Sequence, residues 1–286
     1  MKHAAYTLTL PEDDHSLAVF SSPHSGADYP RAFLRDSLLD ELTLRSSEDA
    51  YVDELFAAAP SLGAPLIAAR FPRAYVDLNR SETELDPAVI AMDRRTALNP
   101  RLAAGLGVIP RVVAEGRAIR QGKITLAAAE ERLATCHRPY HAALSGLLDQ
   151  TREAHGLAVL FDCHSMPRDA LRGLAANGSP RPEIVLGDRF GSACSSWVMG
   201  AAVDGFRAAG FRVACNTPFA GGHITQTYGK PEKGLHALQI EIDRSLYMEE
   251  RTLRKRADFA QVQARITDVI SRLVHVRPER FSLAAE

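Results

Sequence analysis

The run LAVLFDCHS, residues 157 to 165, carries five apolar residues straight into Asp162, Cys163 and His164. So apolar a stretch reads as a buried strand. A chain that needed only a turn at its end would use Gly, Asn or Pro instead. LAVFSSPHSG, residues 17 to 26, repeats the plan, with an apolar run, small polar residues and then His24. Further strand-like runs lie in PEIVLGDRFG (182–191), FRVACNTPF (211–219) and LHALQIEIDRSLYM (235–248). Between them, residues 124–156 and SSWVMGAAVDGFRAAG (195–210) have helical character, and a terminal helix is expected over 250–274. Alternation of this kind predicts an α/β fold with a mostly parallel sheet.

The N-terminal third is read the same way. RAFLRDSLLDELTLR has apolar residues at helical spacing, and SSEDAYVDELFAAAP suggests a helix capped at Ser46 or Ser47 and ended by Pro60. APLIAARFPRAYVDLNR gives two β-like runs around Pro72, the second finishing at Asn79 and Arg80. Residues 81–110, rich in Pro, Asp, Arg and Gly, lack a sustained period and are expected to form a lid or insertion. With no repeat or linker to divide it, the chain is expected to form a single domain over residues 1–286.

Composition narrows the partners. The 286 residues carry a formal net charge of −1 with scattered Lys and Arg, which points to a small-molecule ligand and to neither nucleic acid nor a membrane surface. The four cysteines form no CxxC pair and the N-terminus lacks a signal-peptide core, so a reduced, cytoplasmic protein is expected.

In open α/β sheets ligands sit beyond the carboxyl ends of the strands, so polar residues ending apolar runs are candidates for a site. Collecting them yields His24, Asn79, Arg80, Asp162, His164, Asp188, Arg189, Asn216 and Glu241. His24, His164 and one acid, Glu48 or Asp49, would suit a zinc ion with three protein ligands and an open fourth position, with Asp162 orienting an imidazole. Alternation in ALQIEI places Gln239, Glu241 and Asp243 opposite Leu238, Ile240 and Ile242, which makes Glu241 a candidate general base. Arg80, with Arg70 and Arg73 upstream, offers planar forks for a substrate carboxylate. PFAGGHITQTYGKP has no phosphate-loop spacing and reads as a substrate loop carrying His223 and Thr225. A Ser or Cys nucleophile ranks below the metal, since neither HSG nor CHS matches a GxSxG elbow and Cys163 should point away from its neighbours.

Taken in order, PHSGADYP, SEDAYVDELF, RAYVDLNR, CHRPYHAAL, DCHSMP, LGDRFGSAC, TPFAGGHITQTYG and HALQIEIDRSLYM resemble the N-formylglutamate amidohydrolase family. That resemblance implies a three-layer α/β/α, phosphorylase/hydrolase-like fold with a mostly parallel mixed central sheet, distantly similar to zinc carboxypeptidases and aspartoacylases. It implies hydrolysis of N-formyl-L-glutamate to formate and L-glutamate by metal-activated water, with zinc the expected divalent ion. By motif, His24 and His164 take the metal-histidine roles, the acid of SEDAYVD is the third ligand, with Asp49 preferred to Glu48, and Glu241 is the catalytic glutamate. Asn79 and Arg80 match a carboxylate-gripping pair, and Asp53 is placed with Asp162 behind the ligands. Carboxypeptidase-like sites commonly take their acid from the third position after the first histidine, which here is Ala27. Other readings are hydrolysis of a different N-acyl amino acid or short peptide, and a non-catalytic ligand-binding protein.

Overall fold

Alternation along two long strands lets one sheet serve both a core and a site. The computed structural model describes residues 4–13, 16–92, 99–172 and 181–278. Its strands are β1 (Tyr6–Thr9), β2 (Ala18–Ser22), β3 (Leu66–Ala69), β4 (Ile90–Ala91), β5 (Ile124–Thr125), β6 (Ala158–Met166), β7 (Ile184–Gly187), β8 (Val213–Cys215), β9 (Leu235–Asp243), β10 (Met248–Glu249) and β11 (Arg254–Lys255). Seven of them make the central sheet, in the order β1-β3-β2-β6-β9-β7-β8. From β3 to β9 the neighbours are parallel, as are β7 and β8, whereas β1 on β3 and β7 on β9 are antiparallel. The sheet is therefore mixed but mostly parallel.

Successive side chains on a strand point to opposite faces. On one face Ala18, Phe20, Val159, Phe161, Cys163, Leu238, Ile240 and Ile242 join helices Val52–Leu55, Ser196–Ala208 and Phe259–Leu273. On the other, Val19, Ile67, Ala158, Leu160 and Ala237 pack against helices Leu126–Arg132 and Arg138–His155. Helices thus cover both faces, giving the three layers expected. The parity that buries Ala158 and Leu160 also places Asp162 and His164 on the second face, and Gln239 and Glu241 follow Ala237 there. Cys163 points the other way, as its position in the strand requires.

Several local expectations differ. The SSEDAYVDELF helix is limited to Val52–Leu55 and begins after Tyr51, whose φ of 67° lies in the left-handed region. Such a conformation costs on the order of 1 kcal/mol. It is held because Asp49 N donates to the His24 carbonyl at 3.0 Å and Tyr51 Oη donates to the Leu253 carbonyl at 2.8 Å. AYVDLNR is not a strand; it runs as turns and irregular chain. The terminal helix starts at Phe259, because residues before it form the β10–β11 ribbon. In the expected excursion, β4 pairs with β5 and a short helix covers Pro100–Ala103, while residues 93–98 lie outside the described residues. The long helical region is interrupted by a π-helical turn at Leu133–His137, just ahead of Pro139, and stops at Gly156 with φ 81°.

The centre of the first layer is aromatic. Phe161 stacks on Phe20 at 5.2 Å between centroids, Phe20 meets Phe56 at 5.9 Å, and all three are fully buried. Phe161→Ala should lower unfolding stability by about 3–5 kcal/mol in urea titration; a loss below about 1 kcal/mol would show that this layer is not closely packed.

Candidate active site

The carboxyl ends of β2, β6 and β9 open onto a pocket of about 440 Å³ whose lining includes His24, Asp49, Asn79, Arg80, His164 and Glu241. Register accounts for the alignment: Ser21 lies beside Asp162, Asp162 beside Gln239, and His164 beside Glu241. His164 is a strand residue, since β6 runs on to Met166, whereas His24 sits just past the end of β2.

His24, Asp49 and His164 are buried, and one ligand atom from each lies within 4.8 Å of the others. His164 Nδ1 is 3.0 Å from Asp49 Oδ2, and His24 Nδ1 is 3.5 Å from that same oxygen. Both imidazoles turn their other nitrogen to an acid. His24 Nε2 is 2.7 Å from Asp77 Oδ1, and His164 Nε2 is 3.1 Å from Asp162 Oδ2. A carboxylate hydrogen-bonded behind a histidine, as Asp77 is behind His24, fixes ring and tautomer, the usual support of a metal ligand. Asp162 instead meets His164 as a charge contact, and both its oxygens are buried without a hydrogen-bond partner. His24 Nδ1 is buried with no hydrogen-bond partner. Two imidazole nitrogens and a carboxylate oxygen, one nitrogen unsatisfied, fit a divalent cation of zinc's preferences.

Electrostatics follow from burial and pairing. Burial alone would raise the Asp49 carboxyl, but contacts with His164, His24 and the Arg244 charge hold it well below the usual carboxylate range. Asp77 is likewise held low against burial, by Arg73 and His24. Burial works against the His164 imidazolium, yet the adjacent Asp162 charge raises it well above an ordinary histidine. Glu241 is pushed up to about 7, chiefly by burial, with the Asp49 charge adding to the rise against His164. Its Oε1 accepts from Gln239 Nε2 at 2.8 Å.

Glu48 is turned away from the histidines. Arg45 donates to both its oxygens at 3.0 Å, and Tyr29 Oη donates to Oε2 at 3.2 Å. Asp49 is the acid that meets the imidazoles. Arg244 Nη2 donates to Asp49 Oδ1 at 2.8 Å and Arg244 Nε donates to Ser165 Oγ at 3.0 Å, which leaves Asp49 Oδ2 facing the histidines.

Asn79 sits against the cluster, with Nδ2 3.2 Å from His164 Nε2 and Oδ1 accepting from Ile224 N at 2.8 Å. Gly222 permits this approach, because a Cβ there would fall 2.4 Å from the Asn79 amide. Arg80 donates through Nε to the Leu106 carbonyl and through Nη1 to the Asn79 carbonyl. His137 Nε2 and His141 Nε2 donate to the carbonyls of Arg80 and Leu78, each at 2.9 Å, and so bracket Asn79.

Four expected residues fall elsewhere. Arg70 is paired with Asp28 at 2.7 Å and does not line the pocket. Thr225 is buried and donates to the Gly222 carbonyl at 2.9 Å, closing the first turn of helix His223–Tyr228. His223 lies beside Thr227 and the His141 ring; of this loop, Pro218 to Gly222 line the pocket. Asp53 belongs to helix Val52–Leu55, and no hydrogen bond or ion pair ties it to the three clustered residues. Conversely, Asp77, Arg244, His137 and His141 are not among the residues that strand ends point to, and Gln239 enters only through sharing a face with Glu241. Asp77 and Arg244 each adjoin a segment that is singled out, two residues before Asn79 and just after ALQIEID, but their role depends on turns that periodicity does not register.

Residues 16–248 match the model of a protein family described as N-formylglutamate amidohydrolase. The N-formylglutamate deformylase of Pseudomonas putida is 32% identical over 270 residues, spanning 92% of this chain and 94% of that protein. The enzyme of the same name from Pseudomonas aeruginosa is 30% identical over 273 residues, spanning 92% and 95%. A crystal structure of N-formylglutamate amidohydrolase from Ralstonia eutropha JMP134 shares 35% identity at a TM-score of 0.88, covering 95% of this chain and 98% of that one. Among the described residues no helix is long and apolar enough to cross a membrane.

The Arg244–Asp49 pair lends itself to a stability test. Arg244→Met would strip a buried carboxylate of its cationic partner, so chelator-treated protein should lose about 3–5 kcal/mol in urea unfolding. A change under about 1 kcal/mol would mean that the histidines alone balance Asp49.

Proposed function

Because the chain belongs to the N-formylglutamate amidohydrolase family, we propose that it hydrolyses N-formyl-L-glutamate to formate and L-glutamate at a zinc ion held by His24, Asp49 and His164. The observation that carries the metal reading is the buried, unpartnered His24 Nδ1 directed at Asp49 and His164, with Glu241 on the same pocket wall. A divalent cation there supplies Lewis-acid polarisation of the scissile carbonyl and of the attacking water.

The chain's own groups do the rest. Glu241, whose carboxyl lies near 7, takes the proton of the attacking water and returns it to the departing amine nitrogen. Gln239 holds Oε1, which leaves Oε2 to carry that proton. Asp77, hydrogen-bonded to His24 Nε2, keeps that imidazole in the orientation that presents Nδ1, and the Asp162 charge lies against Nε2 of His164. Arg80 keeps Nη2 clear of the backbone carbonyls that engage its other nitrogens, and this edge takes a substrate carboxylate beside Asn79. The described residues act as one domain, in which helix Pro100–Ala103 brings Arg101 to the pocket.

Elemental analysis should find about one zinc per chain, and His164→Ala should lose it. Glu241→Gln should keep the metal while kcat on N-formyl-L-glutamate falls by about 10²–10⁴-fold. Full turnover by chelator-stripped His164→Ala protein would end this account.

A further inference from the structure

Four arginines line the pocket, Arg73, Arg80, Arg101 and Arg244, and they are not equivalent. Arg244 is committed to Asp49, Ser165 and the Ser46 carbonyl. Arg73 is committed to Asp77 at 2.9 Å. Arg80 bonds only backbone carbonyls and makes no ion pair within 4.0 Å among the described residues. Arg101 is exposed, and its guanidinium has no hydrogen bond or ion pair to a described residue. Although the Asp77 and Glu84 charges act on Arg80 from a distance, neither Arg80 nor Arg101 therefore makes an ion pair with a carboxylate among the described residues.

Their spacing is fixed by a shared residue. Leu106 N donates to the Arg101 carbonyl at 2.8 Å, and the Leu106 carbonyl accepts from Arg80 Nε at 3.0 Å. Asn99 caps the short helix that carries Arg101, its Oδ1 accepting from Arg101 N at 2.9 Å. Burial, and then the like charges of Arg73 and Arg101, pull the Arg80 guanidinium below its usual range against the opposing Asp77. An arrangement that holds like charges together around an open cavity favours an anionic ligand.

Building on the function proposed above, we infer that Arg101 reads the side-chain carboxylate of a dicarboxylic N-acyl amino acid while Arg80 holds the α-carboxylate. Depth decides the assignment. Arg80 is half-buried, and its Nη1 donates to the carbonyl of Asn79, whose amide touches His164, so of the two it is the one tied to the metal-ligand cluster. Arg101 is exposed at the pocket's edge, where a substrate's longer arm ends. Arg101 thus selects an acidic side chain over an amide or alkyl one, because a guanidinium gains far more from a carboxylate than from a neutral group.

The test is a ratio of kcat/KM for N-formyl-L-glutamate over N-formyl-L-glutamine, measured on the metal-loaded full chain. Arg101→Gln should lower that ratio by about 10- to 100-fold, mostly through KM, and Arg101→Lys should keep part of it. A ratio within about twofold of the parent, or equal losses on both substrates, would overturn the assignment. A parent enzyme inactive on every N-formyl amino acid would instead defeat the function proposed above, and this inference with it.

Discussion

A single buried carboxylate organises the site. Asp49 is 1% exposed, and a charge so removed from water persists only when it is paired and hydrogen-bonded. Its two oxygens answer to different elements: Oδ1 to Arg244 and Ser165, Oδ2 to His164 and His24. Satisfying the first oxygen from one side directs the second at the imidazoles. The left-handed Tyr51 and the shortened helix that follows are the local consequences, since the backbone must turn at once from the site to the core.

Around that carboxylate, the sheet acts as a lattice. Neighbouring strands lie about 4.8 Å apart, and a side-chain face repeats every second residue. Ser21, Asp162, His164, Gln239 and Glu241 therefore stand on a grid set by backbone hydrogen bonds. Their separations depend little on surface loops. A one-residue slip of β6 would turn His164 into the first core layer and bring Cys163 to the site.

This lattice is also why much of the site was legible in the sequence. Period two in LAVLFDCHS and ALQIEI identifies which residues share a face, and both runs carry a His or Glu that lines the pocket. Arg70 and Asp53 are suggested by segments that also hold site residues, and His223 and Thr225 by a glycine-containing loop, and none of these signals says which way a side chain leaves a turn. Where the 70–71 backbone packs on Gly26 so closely that a Cβ would fall 2.2 Å from the Phe71 carbonyl oxygen, the Arg70 guanidinium donates to Asp28 at 2.7 Å. Asp77 and Arg244 act through contacts between segments 53 and 195 residues apart, which no local pattern encodes. The antiparallel placement of β7 against β9 was equally hidden, because alternating strands and helices specify layers more tightly than direction at a sheet's edge.

The histidine pair that brackets Asn79 has a consequence for acidity. Each ring gives its Nε2 hydrogen to a carbonyl, and both sit where burial disfavours a charged ring. His141 is lowered to about 3, so it stays neutral across the range in which an ordinary histidine would switch, and its Nδ1 remains free to accept from Tyr228 Oη. The bond from His141 to the Leu78 carbonyl is therefore the same at pH 7 as at pH 5. Insulation of this kind has a thermodynamic counterpart. The unfolded chain takes up a proton on His141 below its ordinary pKa of about 6.5 while the folded protein does not, so the stability it contributes is present above that value. It is progressively lost as the pH falls toward 3: geometry that ignores acid is bound to a fold that does not.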